Sequence, residues 1–243
     1  MKCPGISIII PAYNEERYLA ETLQSLQAAR RTFHRKFGRP TEVIVVNNGS
    51  TDGTELIAQG WGAQVVAHSE RNIASVRNAG IRAASFDVVV TVDADNFIPA
   101  HALTEIWEAM TSGRYIGGGV RVVLASESFG LRALLWVIDR LMQYGLGVSA
   151  GMFFFWKSAA EHVEGFPENL LAGEDVAFAL LLKREARRLG LQFCNLKSVE
   201  LLTEDRKRPS VREAFATCRH VLRAALGRPV TREELAFWYN PGR

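Results

Sequence analysis

Three acidic sites stand in order along the 243-residue chain, and their side chains are the best suited to chemistry. They are Asp52, the pair Asp93 and Asp95, and the pair Glu174 and Asp175. The first two sites follow runs of β-branched residues, at 43–46 and 88–92, as expected where strands of a parallel α/β sheet end. Because such sheets bind ligands at the carboxyl ends of their strands, both sites are candidate ligand contacts.

The spacing of Asp93 and Asp95 suits a divalent metal ion. Two carboxylates at the end of one strand can share a hard cation, and oxygen ligands favour Mg²⁺ or Mn²⁺ with room for phosphate oxygens. This chemistry indicates a nucleotide ligand. An Asp after a strand is also commonly a helix cap or a turn residue, so each site taken alone leaves that alternative open.

Further segments accompany the acidic sites in a fixed order. They are residues 6–15 (ISIIIPAYNE), 47–54 (NNGSTDGT), 77–80 (RNAG), 165–168 (GFPE) and 173–176 (GEDV). Together these motifs resemble the glycosyltransferase family 2, whose nucleotide-sugar-binding fold is called GT-A. The resemblance extends over roughly residues 7–190, and several motifs in fixed order are harder to match by chance than one. It implies an α/β fold with a mostly parallel central sheet flanked by helices.

The resemblance also implies an activity, the inverting transfer of a sugar from a nucleoside diphosphate sugar to an acceptor hydroxyl. The acceptor is expected to be a carbohydrate or a lipid-linked molecule, in the synthesis of cell-envelope polysaccharide. Asp175 is assigned as the general base and Asp95 as the direct ligand of a Mn²⁺ or Mg²⁺ cofactor. Glu174 is expected to orient the site, and both acidic residues also suit a helix start for purely structural reasons.

A larger set of residues is predicted to bind the donor. It comprises Pro11, Ala12, Tyr13, Glu15, Asp52, Arg71, Arg77, Asp93, Ala94, Asp95 and Arg206. The Asp52 carboxylate can accept the imide hydrogen of uracil, which favours a uridine nucleotide. Arg71 and Arg77 are each expected to reach the uridine or the diphosphate, the alternative being ordinary surface arginines. The basic cluster at 206–208 suits a loop that clamps the diphosphate, or else a solvated turn.

In one respect the chain departs from the family pattern. Members often carry a His just after the late strand as a further metal contact, whereas residues 201–205 (LLTED) contain none. We therefore expect the metal to be held by Asp95, phosphate oxygens and water, with Glu204 and Asp205 as further candidates. His220 is interpreted as a surface or packing residue.

Two other functions stay open as alternatives. Sugar-phosphate nucleotidyl transfer uses a related sheet, but it normally has a Gly-rich loop with Arg and Lys after the first strand, where this chain has PAYNE at 11–15. A non-catalytic nucleotide-sugar-binding module would keep the same fold. The chain keeps all four aspartates that the motifs contain, which argues against a loss of activity. They are Asp52, Asp93, Asp95 and Asp175. A dinucleotide-binding oxidoreductase is disfavoured because no Gly-x-Gly-x-x-Gly follows the first strand.

The composition is that of a globular protein, with 48% hydrophobic and 23% charged residues. The length predicts a single domain, and the resemblance implies that it is a GT-A domain. Its predicted parts are a nucleotide-binding half (1–125), an acceptor-side half (126–205) and a C-terminal helix and tail (206–243). Three cysteines without a Cys-x-x-Cys spacing predict reduced thiols rather than a disulfide framework or a zinc site. The sequence shows no signal peptide, which predicts a cytoplasmic protein.

The net charge of +3 is unevenly distributed along the chain. Residues 183–243 carry a balance of +7, which leaves −4 for the rest. A cationic C-terminal quarter fits a nucleoside diphosphate or an anionic membrane surface, and solvated helix faces are the simpler alternative. The helix predicted over 131–144 is a candidate for peripheral contact with the inner face of the membrane, with core packing as its other use. No nucleic-acid partner is expected.

The candidate residues need a scaffold that brings strand ends together. The hydrophobic pattern predicts strands at 6–12, 42–47, 64–67 and 88–93, with helices at 16–33, 53–59 and 74–84 between them. Such βαβ alternation predicts parallel strands joined by right-handed crossovers. The second half is predicted to contain a helix at 100–110, a β-rich run at 115–123, an apolar stretch at 129–155, a helix after Gly173 and an amphipathic helix at 210–226.

Overall fold

The computed structural model describes residues 4–124, 151–170 and 173–203. Within these ranges the chain forms eight strands and six helices. The strands are β1 (Ile6–Ala12), β2 (Thr41–Asn47), β3 (Gln64–Ala67), β4 (Val88–Thr91), β5 (Asn96–Phe97), β6 (Tyr115–Leu124), β7 (Gly151–Trp156) and β8 (Gln192–Thr203). The helices are α1 (Leu19–Phe37), α2 (Thr54–Gly60), α3 (Ile73–Ala83), α4 (Ala102–Thr111), α5 (Lys157–His162) and α6 (Glu174–Leu189).

The described strands form one sheet in the order β3-β2-β1-β4-β7-β6-β8-β5. β1 pairs in parallel with β2 and with β4, and β2 pairs in parallel with β3. β7 runs antiparallel to β4 and β6, whereas β8 is parallel to β6 and antiparallel to β5. The chain proceeds outwards from β1 to β2 on one side and reaches β4 on the other. This reversal makes the gap between β1 and β4 the switch point where open α/β sheets bind ligands.

Helices cover both faces of this sheet, which explains why its central strands β1 and β4 are buried over their whole length. One face packs against α1, α2 and α4, and the other packs against α3, α5 and α6. Within β1, Ile8 and Ile10 belong to the first core and Ile9 belongs to the second. Helix α3 approaches β1 so closely that a Cβ atom on Gly80 would collide with the Ile9 side chain. The helix that carries the RNAG motif is therefore fixed directly on the central strand.

The predicted α/β arrangement, a central sheet flanked by helices, is confirmed, and the strands and helices predicted before residue 93 are all present. Most boundaries agree to within one residue, whereas both ends of α1 and the end of β4 differ by more, and α1 ends at Phe37 rather than at 33. Helix α1 begins at Leu19 rather than at 16, because the Glu15 carbonyl first accepts the N–H groups of Tyr18 and Leu19 in a turn. Strand β4 ends at Thr91 rather than at 93, because the chain then turns. The strand β7 inside the apolar stretch and the short strand β5 were not predicted.

Several predicted segments lie outside the described residues. They are the helices over 131–144 and 210–226, the cluster at 206–208 with Arg206, and the residues Glu204, Asp205 and His220. Among the helices that the structure does describe, none combines the length and apolar character needed to cross a membrane.

Candidate active site

The loops that follow β1 and β2 are joined by hydrogen bonds. Asn14 adopts a left-handed backbone with φ of 53°, and its Oδ1 accepts the N–H of Thr51 at 2.8 Å. Its own N–H donates to Ser50 Oγ at 3.0 Å. The N–H of Glu15 donates to Thr54 Oγ1 at 2.8 Å. These bonds fix the carboxyl end of β1, which carries four of the predicted donor-binding residues: Pro11, Ala12, Tyr13 and Glu15.

Asp52 lies just before α2, where both of its carboxylate oxygens accept hydrogen bonds from the protein. Oδ1 accepts the N–H of Thr54 at 3.0 Å as well as its hydroxyl, and Oδ2 accepts the N–H of Glu16 at 3.1 Å. Burial acts to raise the pKa of Asp52, but these hydrogen bonds outweigh it and hold the pKa below its usual value. The geometry thus gives Asp52 a structural role. Uracil recognition by Asp52 stays a prediction.

Arg71 and Tyr13 form a pair at the open end of β1. Arg71 Nη2 donates to the Tyr13 hydroxyl at 2.8 Å, and the guanidinium carbon lies 4.6 Å from the centre of the tyrosine ring. Arg71 is exposed and Tyr13 is half-buried. The structure therefore brings together two of the predicted donor-binding residues, and it places a cation and an aromatic face side by side at the solvent boundary.

The Asp93–Asp95 turn follows β4, next to the end of β1. The N–H of Asn96 donates to the Asp93 carbonyl at 3.3 Å and closes the turn. From α1, the Thr22 hydroxyl donates to the Ala94 carbonyl at 2.7 Å. The Asp93 side chain is 46% exposed, and Asp95 is half-buried. Both acidic residues of the turn are thus accessible to solvent. Hydrogen bonds hold the backbone of the turn in place.

Arg77 connects this turn to the beginning of α6. Its Nη2 lies 3.1 Å from Asp93 Oδ1, and its Nη1 lies 2.6 Å from Glu174 Oε1. The guanidinium also lies over the Phe166 ring, 5.4 Å from the ring centre. Only 9% of the Arg77 side chain and 9% of the Glu174 side chain are exposed. Asp93 and the start of the helix that bears Asp175 are therefore linked by one buried cation.

The acidic residues at the start of α6 are hard to ionise. Burial raises the pKa of Glu174 to about 7, and the charge of Asp175 adds to this rise while Arg77 opposes it. Burial likewise raises the pKa of Asp175, against the lowering effects of Arg77 and of the Val176 N–H and with a further rise from Asp93. Arg77 carries a single positive charge, so it compensates only part of the negative charge of the three neighbouring carboxylates. Conversely, burial would lower the pKa of Arg77, but the three carboxylates together raise it.

The Asp93–Asp95 turn suits a divalent ion by the chemistry of its donors. Carboxylate and carbonyl oxygens are the ligands preferred by Mg²⁺ and Mn²⁺, and Asp95 offers a carboxylate at the surface of the turn. Among the residues that the structure describes, no group of three or more His, Cys, Asp or Glu side chains forms a complete metal cage. The turn could therefore contribute ligands to such an ion.

Helix α3 also holds the segment 165–168 through two asparagines. Asn72 Nδ2 donates to the Glu168 carbonyl at 2.7 Å, and its Oδ1 accepts the N–H of Ala74 and so caps the helix. Asn78 Nδ2 donates to Glu168 Oε1 at 2.8 Å. The GFPE segment is thus attached to the same helix as Arg77.

Some of these supporting residues were missed by the sequence analysis. Thr22 and Ser25 lie buried on α1, and Ser25 Oγ accepts the N–H of Ile98 at 3.0 Å. The sequence does contain a signal for these two residues, because small hydroxyl side chains interrupt the apolar face of α1 that contains Leu23 and Leu26. Buried hydroxyls of this kind need hydrogen-bond partners.

The comparisons with known proteins agree with this geometry. Residues 7–160, more than half of the chain, match the sequence family described as glycosyl transferase family 2. The chain belongs to glycosyltransferase family 2. The predicted family and the predicted class of enzyme, a glycosyltransferase, are thereby confirmed.

Curated relatives match about half of the chain or somewhat more. The undecaprenyl-phosphate 4-deoxy-4-formamido-L-arabinose transferase of Pectobacterium atrosepticum is 34% identical over 129 residues, which cover 48% of this chain and 37% of that protein. The transferase of the same name from Klebsiella pneumoniae is 30% identical over 153 residues, which cover 60% of this chain and 45% of that protein. The chain spans less than half the length of these relatives.

Solved structures share the fold over nearly the whole chain. Glucosyl-3-phosphoglycerate synthase from Mycobacterium tuberculosis, in complex with Mn²⁺, UDP and glucosyl-3-phosphoglycerate, gives a TM-score of 0.65 at 22% identity, with 94% of this chain and 82% of that chain covered. S. aureus TarS 1–349 in complex with UDP-GlcNAc gives a TM-score of 0.64 at 19% identity, with 96% and 70% covered. At these identities the likeness establishes the fold.

Proposed function

We propose that the chain transfers a sugar from a uridine diphosphate sugar to an acceptor hydroxyl, with inversion at the anomeric carbon and Asp175 as the general base. The observation that supports this most directly is the ion-pair bridge from Asp93 through Arg77 to Glu174. It ties the carboxylate turn suited to the donor diphosphate to the helix start that carries Asp175.

Asp175 has the properties that a general base requires. It is half-buried at the start of α6, and burial raises its pKa, which makes the carboxylate a stronger base than a solvated aspartate. In the proposed reaction the acceptor oxygen attacks the anomeric carbon and gives its proton to Asp175. The bond from that carbon to the diphosphate breaks, and the diphosphate leaves with the electron pair. A single displacement of this kind inverts the configuration.

The other residues have supporting roles in this proposal. Tyr13 and Arg71, which contact each other at the end of β1, bind the uridine diphosphate. Asp95 would hold a Mn²⁺ or Mg²⁺ ion, and such an ion would supply charge compensation for the leaving diphosphate. A uridine donor and Mn²⁺ are supported by the ligands bound in the two solved structures of the same fold.

For the acceptor we propose a carbohydrate or a lipid-linked molecule. The relatives named as undecaprenyl-phosphate transferases support the lipid-linked class. An acceptor of that class lies in a membrane, so we also propose that the protein works in the cytoplasm at the inner face of the membrane. The net positive charge of residues 183–243 favours such a peripheral contact.

Calorimetric titration with UDP, in the presence of Mn²⁺ or of excess EDTA, tests the donor site. We expect tighter binding with the metal and a loss of most of this gain in Asp95→Asn. The matched control is Glu108→Gln on α4, since Glu108 is 52% exposed and pairs with Lys36. Equal affinity for UDP in EDTA and in Mn²⁺ would remove the metal from the proposal.

A screen of nucleotide sugars for UDP release tests the reaction class. Release of UDP from one UDP-sugar, at a rate that depends on Asp175, supports glycosyl transfer. Release of pyrophosphate from UTP and a sugar phosphate would instead identify a nucleotidyltransferase. Binding of UDP-sugars without turnover of any of them would identify a non-catalytic module.

A further inference from the structure

The guanidinium of Arg77 occupies a position between the two halves of the proposed site. It emerges from the middle of α3, and its two terminal nitrogens point to different carboxylates, Asp93 after β4 and Glu174 at the start of α6. These two carboxylates are separated by 81 residues in the sequence. No hydrogen bond between the backbones of β4 and α6 fastens them together among the bonds that the described residues form.

The surroundings of Arg77 point to a role inside the protein. Its side chain is buried against the Phe166 ring. Its Nε atom has no hydrogen-bond partner among the residues that the structure describes. A buried donor without a partner is costly. The two carboxylates therefore set the orientation of the guanidinium. A different orientation would be expected if all of its N–H groups had to find hydrogen-bond partners.

We propose that Arg77 is a positioning residue whose guanidinium fixes the start of α6, and with it Asp175, against Asp93 of the donor site. This inference rests on the proposed function, because it assigns Arg77 its effect through Asp175. The sequence predicted that Arg77 contacts the donor directly. In this proposal Arg77 instead acts through Asp175 and does not touch the reacting atoms.

The two contacts require the planar guanidinium of an arginine, which carries two terminal nitrogens. One guanidinium nitrogen serves Asp93 and another serves Glu174, at 3.1 and 2.6 Å. A lysine has the same charge but only one nitrogen at the end of a flexible chain, so it cannot reproduce both contacts in a fixed plane. Arg77→Lys therefore separates the effect of geometry from the effect of charge.

The charge of Arg77 gives a second, independent signature. The charged groups that act on Asp175 are Arg77 from α3, Asp93 from the turn after β4 and the neighbouring Glu174 on α6. Arg77 lowers the pKa of Asp175, and Asp93 raises it. Loss of the positive charge thus raises the pKa of Asp175, and the base then becomes ionised only at higher pH.

The test compares Arg77→Lys and Arg77→Met with the control Arg82→Met, which changes an exposed arginine on the same helix. For each purified protein we would measure UDP affinity with Mn²⁺, kcat for UDP release from the UDP-sugar, the pH dependence of kcat and the melting temperature. For Arg77→Lys we expect kcat to fall by about tenfold or more because the base is misplaced, with UDP affinity changing much less. For Arg77→Met we expect the acidic limb of the profile to move by about one pH unit or more to higher pH.

Each outcome decides the inference. A wild-type kcat in Arg77→Lys, or a parallel fall of kcat and UDP affinity, would overturn it, and this holds even where Arg77→Met does not fold. An unmoved acidic limb in folded Arg77→Met would overturn it as well. Absence of UDP binding and turnover in the wild-type protein would contradict the proposed function instead, so the two failures are distinguishable.

Discussion

Asn78 and Phe166 exchange two hydrogen bonds although 88 residues separate them. Asn78 Nδ2 donates to the Phe166 carbonyl at 2.9 Å, and the Phe166 N–H donates to Asn78 Oδ1 at 2.8 Å. Both residues are buried. The side-chain amide thus pairs with a loop backbone as a neighbouring strand would, and it satisfies two buried polar groups at once. The GFPE segment is held to α3 one residue away from Arg77.

Replacing Asn78 by Asp should destabilise the protein by about 1 to 3 kcal/mol, because a carboxylate accepts hydrogen bonds but cannot donate to the Phe166 carbonyl. It also sets a negative charge against Glu168, whose Oε1 accepts from the same amide. Chemical denaturation would measure the loss. Arg82→Gln, an exposed change on the same helix, is the control. Equal stability of the two variants would contradict the structural role of Asn78.

The stability contributed by Asp52 should depend on pH. The pKa of Asp52 is lowered in the folded protein by bonds from Thr54 and Glu16, so its contribution is present at pH values above the unfolded pKa, about 3.9. It is lost as the pH falls through the lower, folded value. Asp52→Ala should therefore cost about 1 kcal/mol at neutral pH, the usual scale for the net loss of a hydrogen bond.

Urea denaturation of wild type and Asp52→Ala near pH 7 and again near pH 3 would check this difference. We expect the gap between the two proteins to narrow at the lower pH. Competition between UDP and GDP for binding to both proteins would test whether Asp52 recognises uracil. A preference for UDP that disappears in Asp52→Ala would support uracil recognition by this carboxylate, in addition to its role before α2.

The first half of the fold follows from local patterns. The runs of β-branched residues in β2 and β4 favour strands because they are short and β-branched, and the apolar face of α1 has the period of a helix. The strand β7 was missed because residues 151–156 lie in a long apolar stretch, in which periodicity cannot distinguish a buried strand from a buried helix. The two-residue strand β5 has too little sequence to show any period.

The site was predictable in its acidic residues but not in the contacts between them. Asp93, Asp95 and Asp175 follow from strand ends and motif order. The bridge through Arg77 was not predictable, since the sequence leaves open whether an arginine in a helix faces solvent or the core. That choice depends on how α3, β4 and α6 meet, which is a property of the whole fold. The direction of the Arg77 side chain is seen in its contacts with Asp93, Glu174 and the Phe166 ring.

Arg71→Ala should weaken the binding of UDP by about tenfold or more, because a hydrogen bond to a charged group contributes about 1.5 to 3 kcal/mol. Binding of uridine, which has no diphosphate, should change much less. Tyr13→Phe removes the hydroxyl that accepts from Arg71 but keeps the ring, so we expect a smaller loss of UDP affinity. Calorimetry on the three proteins, with Arg82→Ala as control, would measure this. Equal losses for uridine and UDP would assign Arg71 to the nucleoside instead.

Asp175→Asn is the sharpest test of the proposed chemistry. The amide keeps the size of the side chain and can still accept the N–H of Val176, which now donates to Asp175 Oδ1 at 2.7 Å, but it cannot take a proton. We expect UDP affinity to stay close to that of the wild type and kcat to fall by roughly a hundredfold or more, the usual scale for a lost general base. Glu161→Gln, an exposed change on α5, is the control. NMR of the wild-type product should show the anomeric configuration opposite to that of the donor. Retained configuration, or a near-normal rate in Asp175→Asn, would exclude Asp175 as the base of a single inverting displacement.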